Sequence, residues 1–188
     1  FIKLLKQIGV PDLLGTLQSL GVQREFTLAR QGLSAAIGGL ELSPLDMASL
    51  YASLAQNGQQ RTAHFQQTAA HQTRSTTVSG LSSGSAWLTR RALALRDRPD
   101  FPARRHQSAV PPTIQWKTGT SSGHRDAWAV GSGPTYTVVV WLGNFDQEAS
   151  TALVGAEVAG PILFDILEAT ARKADAYVAD PPPDDLIE

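Results

Sequence analysis

The 188-residue sequence contains no cysteine, and only 18% of its residues are charged, with a formal net charge of −1. Without cysteine the chain can form neither a disulfide framework nor a zinc site built on thiolates. The near-zero net charge gives no electrostatic field that would select nucleic acid or an anionic membrane. The pairs Arg90-Arg91 and Arg104-Arg105 are interpreted as solvated charges on a helix and a loop. These absences exclude nucleic-acid partners from the prediction.

Other patterns are missing as well. The sequence has no signal peptide, no apolar run of membrane-spanning length and no internal repeat. His64 and His71 are seven residues apart, without a third histidine or a carboxylate nearby, so neither a metal nor any other cofactor is predicted. No serine is followed three residues later by lysine or two residues later by asparagine. The last absence bears on catalysis.

The residues that are present favour a globular α+β fold, with an antiparallel sheet flanked by helices. A hydrophobic content of 42% argues against disorder. Apolar residues at helical spacing predict helices over Phe1–Ile8, Leu13–Leu20 and Ala86–Leu95, with residues 9–11 as the first break and Gly21 as a stop.

The clearest helix start is at Ser43. This residue has the features of an N-cap, with Pro44 at the first helical position and Asp46 completing a capping box. The helix is expected to end at Asn57-Gly58. Its predicted buried face comprises Leu45, Ala48, Ala52 and Ala55.

Strands are predicted in the second half, over Thr113–Ser121, Ala127–Gly131 and Tyr136–Leu142. The run 137–142 has no polar alternation, so we expect a central strand covered on both faces. Gly160-Pro161 opens a last helix. Its expected apolar stripe is Val158, Ile162, Ile166 and Ala169, with Leu163 and Leu167 beside it.

The remaining segments are predicted to be irregular. Residues 59–85 are rich in Gln, Thr, Ser and His, which indicates a surface segment with one short strand around 62–65. Residues 96–113 form a long loop that could border a cleft. Residues 177–188 are rich in proline and aspartate and are interpreted as a linker after a domain over 1–176, which another domain could follow.

The segment Lys117-Thr118-Gly119-Thr120 is the most informative in the chain. In a strand, Lys117 points opposite to Thr118, and Thr118 and Thr120 share a face. Glycine weakens a strand unless something must approach the backbone, so Gly119 suggests a ligand lying along this edge. The pattern therefore predicts an anionic peptide added as a strand, although a plain strand followed by a turn would look the same.

Lys-Thr-Gly is a motif of penicillin-binding proteins and β-lactamases. The run 117–121, followed by Arg125-Asp126-Ala127-Trp128, resembles the transpeptidase domain of bifunctional (class A) penicillin-binding proteins. So do residues 38–48, 51–52 and 57–58 upstream and 139–144 downstream. Residues 98–102 and 123–126 look most like the branch of that family called penicillin-binding protein 1C.

The sequence departs from the family by lacking Ser-x-x-Lys and Ser-x-Asn. In the family the second of these motifs lies shortly before a stretch like 1–5, so the chain is expected to be the C-terminal portion of a transpeptidase domain, with the nucleophile upstream. The resemblance implies that Lys117 lowers the pKa of neighbouring groups, hydrogen-bonds the Ser-x-Asn serine and assists proton transfer to the leaving amine. It implies that the Thr118 and Thr120 hydroxyls bind the substrate carboxylate and that Ser121 also contacts the substrate. It further implies that Gly119 permits the peptide's approach and that the Thr120 N–H completes an oxyanion hole with the nucleophile's own amide.

The resemblance thus implies a serine D,D-transpeptidase of peptidoglycan synthesis, with stem peptides and β-lactams as ligands and with the isolated chain inactive. It also implies an upstream glycosyltransferase domain, a membrane anchor outside this chain and a periplasmic location on the inner membrane. A D,D-carboxypeptidase or a β-lactamase uses the same chemistry and stays open. From a different class, so does a pseudoenzyme that binds peptidoglycan or a partner without turnover.

Overall fold

The computed structural model describes residues 1–26, 32–61, 63, 80–95, 98–99, 101, 114–171 and 181–186. These residues form two compact units, Phe1–Ala86 with Pro183–Glu188, and Trp87–Pro182. The helices are α1 Ile2–Ile8, α2 Val10–Ser19, α3 Pro44–Ala55, α4 Ser83–Leu93 and α5 Gly160–Thr170, with a short 3-10 helix at Leu33–Ile37 and a π-helical turn at Gly155–Ala159. Together with a three-stranded antiparallel sheet, they confirm the predicted α+β class. No helix in the described ranges has both the length and the apolar character needed to cross a bilayer.

The first unit opens with two consecutive helices. Only Gly9, with φ of 95°, separates them, and α2 begins at Val10 rather than at the predicted Leu13. Pro11 lies in its first turn, where a helix needs no backbone N–H and proline is tolerated. The predicted break over 9–11 was therefore too long. The predicted stop is confirmed, because Gly21 follows the helix with φ of 100°.

The capping box at the start of α3 is confirmed. The Ser43 hydroxyl accepts a hydrogen bond from the Asp46 N–H at 3.1 Å, and the Asp46 carboxylate accepts one from the Ser43 N–H at 3.1 Å. The helix ends just before Asn57 and Gly58, which have φ of 58° and 80°. Local sequence thus determines both ends of this helix.

The predicted buried face of α3 was wrong. The four apolar residues expected there are half-buried, whereas the buried residues are Asp46, Ser49, Tyr51, Ser53 and Leu54. The two serines form hydrogen bonds with backbone groups of neighbouring segments. Ser53 Oγ donates to the Leu20 carbonyl at 2.7 Å and accepts from the Arg61 N–H at 2.7 Å. A pattern of apolar spacing cannot reveal a helix face that packs through hydroxyls.

Asp46 joins the helix to the extended segment before it. Its Oδ1 accepts from the Gln23 N–H at 2.9 Å, and its Oδ2 accepts from the Ser43 hydroxyl at 2.7 Å. Burial by itself raises the pKa of Asp46, but hydrogen bonds from the Ser43 side chain and from the backbone of Gln23, Ser43 and Arg24 together hold the pKa below its usual 3.8. The ionised carboxylate therefore stabilises the folded unit.

Asp46→Asn is expected to destabilise the chain by about 1–3 kcal/mol at pH 7, because an amide group would face donors that need an acceptor. The folded-state pKa of Asp46 is lowered, so its stabilisation is present above pH 3.8 and is lost as pH falls through the folded-state value. Urea unfolding followed by circular dichroism at pH 7 and pH 3 measures both. The exposed Asp12→Asn, also in a first helical turn, is the control. An equal loss at both pH values would contradict the assignment.

The second unit contains the sheet, with β1 Gln115–Thr120, β2 Asp126–Ser132 and β3 Thr137–Gly143 in the order β1-β2-β3. These strands confirm the three predicted ones. Helix α5 packs against one face of the sheet. The core between them consists of Phe101, Ile114, Trp116, Ala127, Ala129, Val140, Ala159, Leu163, Phe164 and Leu167.

Two details of this unit differ from the prediction. Among the described residues β2 is the central strand and β3 lies at the sheet edge, where its residues are half-buried except for the buried Val140. An apolar run indicates that both faces of a strand are covered, but it does not indicate whether the strand pairs with a neighbour on one edge or on both. In α5 the expected stripe is also wrong, since Ile162 and Ile166 are each 39% exposed while Leu163 and Leu167 are buried. In a regular helix Val158 would share a face with Ile162, but Val158 lies in the π-helical turn, whose wider turn changes the phase of the residues that follow.

Some predictions fall outside the described part of the chain. The short strand at 62–65 and the loop over 96–113 lie largely in residues the structure does not describe. The domain over 1–176 with a linker over 177–188 stays a prediction. Helix α4 confirms the one expected over Ala86–Leu95, with its start at Ser83.

Candidate active site

The motif Lys117–Thr120 occupies the end of β1, at one edge of the described sheet. The Ser121 N–H donates to the Asp126 carbonyl at 2.9 Å, which makes these two opposed residues a hydrogen-bonded pair. In an antiparallel ladder such pairs alternate with pairs whose peptide groups point away from each other. The peptide groups of Lys117 and Gly119 therefore face β2, and those of Thr118 and Thr120 point away from it. We call this side of β1 the open edge, because no strand of the described part of the chain pairs with it.

The side chains of β1 alternate as predicted. Trp116 and Thr118 are 1% and 7% exposed and lie on the core face with Thr120, while Lys117 and Gly119 lie on the opposite face. Lys117, Gly119 and Thr120 are all exposed. The strand thus presents a cation on one side of its edge and a hydroxyl on the other.

The Lys117 ammonium lies close to the edge itself. Its Nζ donates to the Thr118 carbonyl at 2.5 Å, and this carbonyl is one of the groups directed away from β2. The side chain therefore folds along the strand instead of extending from the face of the sheet. This conformation brings the positive charge to the line along which an added peptide strand would lie.

Thr120 is held from the core side. Its Oγ1 accepts a hydrogen bond from the Gly155 N–H at 2.9 Å. A hydroxyl that accepts through a lone pair keeps its proton available for donation. With the Thr120 N–H also directed at the open edge, one residue offers two donors there. Together with the Lys117 ammonium they suit an anionic group, whereas no three metal-binding side chains converge anywhere in the described residues.

Ser121 and Asp126 shape the turn between β1 and β2. The Ser121 Oγ accepts from the N–H groups of Arg125 at 3.2 Å and of Asp126 at 2.8 Å. The Asp126 Oδ1 accepts from the Trp141 indole N–H at 2.9 Å and so ties β2 to β3. These contacts give Asp126 a structural role at the start of β2. The predicted role of Ser121 toward substrate stays a prediction.

Gly155 contacts the motif but was missed in the sequence. An added Cβ at this position would lie 2.2 Å from the Gly119 carbonyl oxygen and 2.8 Å from that of Trp128. The sequence offers only an isolated glycine five residues before the predicted helix start, which matches no motif. The contact joins positions 35 residues apart, so only the folded chain brings them together.

The chain matches the family described as penicillin binding protein transpeptidase domain over residues 7–168. Penicillin-binding protein 1C of Escherichia coli (strain K12) is 31% identical over 160 residues, covering 84% of this chain and 20% of the relative. Penicillin-binding protein 1B of Vibrio cholerae serotype O1 is 24% identical over 157 residues, covering 80% and 20%. These identities confirm the resemblance to the 1C branch. The chain spans about a fifth of the length of these relatives.

The fold agrees with the sequence match. The crystal structure of penicillin-binding protein 1A from Haemophilus influenzae superposes with a TM-score of 0.71 at 18% identity, covering 97% of this chain and 34% of that one. Likeness at this identity shows the shared fold, and the family match over residues 7–168 adds the sequence relationship. The edge strand with its Lys-Thr-Gly-Thr motif lies inside the matched region. The chain therefore belongs to the penicillin-binding protein transpeptidase domain family.

Proposed function

We propose that the complete gene product containing this chain is a serine-type D,D-transpeptidase that cross-links peptidoglycan stem peptides ending in D-Ala-D-Ala. The observation that carries the proposal is the open edge of β1, where the Lys117 ammonium and the Thr120 donors lie together in a chain of this family. This arrangement suits an extended peptide with a terminal carboxylate. Main-chain hydrogen bonding to Thr120 would hold it as an added strand.

In the proposed reaction a serine hydroxyl from outside these 188 residues attacks the carbonyl of the penultimate D-alanine. The amide bond to the terminal D-alanine breaks, the leaving amine takes up a proton, and an ester to the serine forms. An amine of a second stem peptide then attacks the ester, releasing the serine and forming the cross-link. β-Lactams acylate the same serine, since they present a carboxylate and a strained carbonyl in similar register.

The residues of β1 are assigned distinct roles. Lys117 hydrogen-bonds the serine of the Ser-x-Asn motif and assists proton transfer to the leaving amine. The Thr120 N–H stabilises the oxyanion, and its hydroxyl binds the terminal carboxylate together with that of Thr118, while Ser121 also contacts the substrate. Because Thr118 is 7% exposed while Thr120 is exposed, we assign the principal hydroxyl contact to Thr120. Gly119, without a side chain, lets the peptide approach the backbone.

The wider setting of the chain follows from this chemistry. Peptidoglycan is assembled outside the cytoplasmic membrane, so we place the catalytic domain at the periplasmic face of the inner membrane, anchored from outside this chain. We also propose that the complete protein carries a glycosyltransferase domain before this region and a further domain after it.

The function is tested by incubating the complete gene product with a stem pentapeptide ending in D-Ala-D-Ala and measuring D-alanine release. We expect release together with a cross-linked product that appears only when an acceptor amine is added. Release with hydrolysed peptide alone would show a D,D-carboxypeptidase. Neither release nor a covalent penicillin adduct would show a pseudoenzyme, and would overturn the proposal.

A further inference from the structure

Gly155 begins the π-helical turn that leads into α5. This turn packs on β1 and β2, and Gly155 itself is buried against the end of β1. It makes two kinds of contact there. Its N–H donates to Thr120 Oγ1 at 2.9 Å, and its Cα faces the carbonyls of Gly119 and Trp128, which are opposed residues of the β1–β2 ladder.

We propose that Gly155 is a positioning residue for Thr120: it holds the threonine hydroxyl in one orientation and directs its proton toward the open edge of β1. The inference rests on the proposed function, in which Thr120 binds the substrate carboxylate. It adds a residue outside the motif, located on a different element of the fold. Gly155 makes no contact with substrate and acts through Thr120 alone.

The physical reason lies in the chemistry of a hydroxyl. A threonine at an exposed strand end can occupy several χ1 rotamers, and its O–H can rotate. The Gly155 N–H is a fixed backbone donor, so it stabilises the rotamer that places Oγ1 2.9 Å away. With one lone pair occupied by this donor, the O–H is directed elsewhere. A donor oriented before the ligand arrives loses less on binding than one that must reorganise.

The position also requires glycine for steric reasons. Ordinary van der Waals contact of a Cβ begins near 3.4 Å, but a Cβ here would lie 2.2 Å from the Gly119 oxygen and 2.8 Å from the Trp128 oxygen. Both atoms belong to the backbone and cannot rotate away. An added methyl group would therefore push the π-helical turn off the sheet and break the hydrogen bond to Thr120.

The hydrogen bond itself is tested by amide hydrogen exchange at Gly155 in the complete gene product. In Thr120→Val the hydroxyl is lost, and we expect exchange at Gly155 to become about 10-fold faster or more, as for a lost hydrogen bond of ordinary strength. Thr120→Ser keeps a hydroxyl and is expected to exchange near the wild-type rate. An unchanged rate in Thr120→Val would overturn the inference, whatever the protein's activity.

The functional consequence is tested with Gly155→Ala in single-turnover acylation. We expect a loss of about 10-fold or more with a peptide that has a free terminal carboxylate, the range for a hydrogen bond to a charged group. A carboxyl-amidated peptide lacks that contact and should be much less affected. In the Thr120→Val background, Gly155→Ala should no longer change the ratio of the two rates. Equal losses for acid and amide would contradict positioning through Thr120.

Gly131→Ala is the matched control. Gly131 lies in β2 of the same sheet, and its added Cβ would lie 3.0 Å from the Gln115 carbonyl oxygen, at the other end of β1. It should lower stability while leaving the ratio of acid to amide rates unchanged. A changed ratio in this control would show that any tight glycine in the sheet has the same effect and would overturn the inference. If Gly155→Ala does not fold, the exchange measurement decides.

The proposed function and the positioning role of Gly155 are refuted by different results. A wild-type protein that shows no acylation by either peptide would refute the proposed function, while the exchange result at Gly155 would still stand. Acylation that favours the free acid, combined with unchanged Gly155 exchange in Thr120→Val, would leave the function intact and refute the positioning role.

Discussion

Replacing Lys117 by alanine in the complete gene product is expected to lower the acylation rate by about 10²-fold or more, the range for a positioned proton-transfer group. The ammonium lies at the open edge of β1, 2.5 Å from the Thr118 carbonyl oxygen, along the line that the substrate backbone would occupy. Removing it takes away the cation proposed to assist protonation of the leaving amine. Single-turnover acylation by a fluorescent penicillin measures the rate directly.

The controls separate charge from shape and from stability. Lys117→Arg keeps the positive charge but replaces a compact ammonium by a planar guanidinium, so only partial rescue is expected. Lys117 is exposed, and Lys117→Ala should melt near the wild-type temperature. Lys6→Ala, an exposed lysine in α1, should acylate at the wild-type rate. Wild-type acylation in Lys117→Ala would remove this strand from the proposed active site.

Elements specified by neighbouring residues were predictable from the sequence. The capping box of Ser43 and Asp46 involves atoms three residues apart, and the structure forms it as expected. The three strands also follow from local patterns of apolar residues and turns. Where a local cap marks its end, as at Ser43, the end of a helix can thus be located without knowledge of the rest of the fold.

The buried faces of two helices were not predictable in the same way. In α3, Ser49 and Ser53 are buried because their hydroxyls bond the backbone around Ala63 and Arg61. In α5, two apolar stripes lie side by side, and the π-helical turn before the helix decides which of them faces the sheet. Each outcome depends on a partner distant in sequence or on an irregular turn that no periodicity reveals.

The same distinction applies to the site. The motif at 117–120 could be located in the sequence because its four residues are contiguous, and the alternation of a strand gives their directions. Gly155 could not, because its contact with Thr120 exists only after α5 has packed on the sheet. The sequence therefore predicts the contiguous motif of the candidate site but not the distant backbone group that contacts it.

The 188-residue chain by itself is expected to form no covalent adduct with a β-lactam, whereas the complete gene product should be labelled. A serine becomes nucleophilic when a base lies within hydrogen-bond reach. No serine here precedes a lysine by three residues, and the chain has only four lysines, Lys3, Lys6, Lys117 and Lys173. Ser121 directly follows the motif, and its hydroxyl oxygen accepts hydrogen bonds from two backbone N–H groups of the β1–β2 turn.

Fluorescent penicillin, incubated with each protein and followed by denaturing electrophoresis, measures this difference. Labelling of the complete gene product and none of the chain, with the label mapped by mass spectrometry to a serine outside residues 1–188, is the expected result. The control is Ser121→Ala in the complete gene product. This variant should still be labelled, because the substitution changes the β1–β2 turn and one substrate contact but leaves the nucleophilic serine in place. A labelled serine inside the 188 residues would mean that the chain contains its own nucleophile, and that Lys117 acts on that serine instead of on one supplied from elsewhere in the protein.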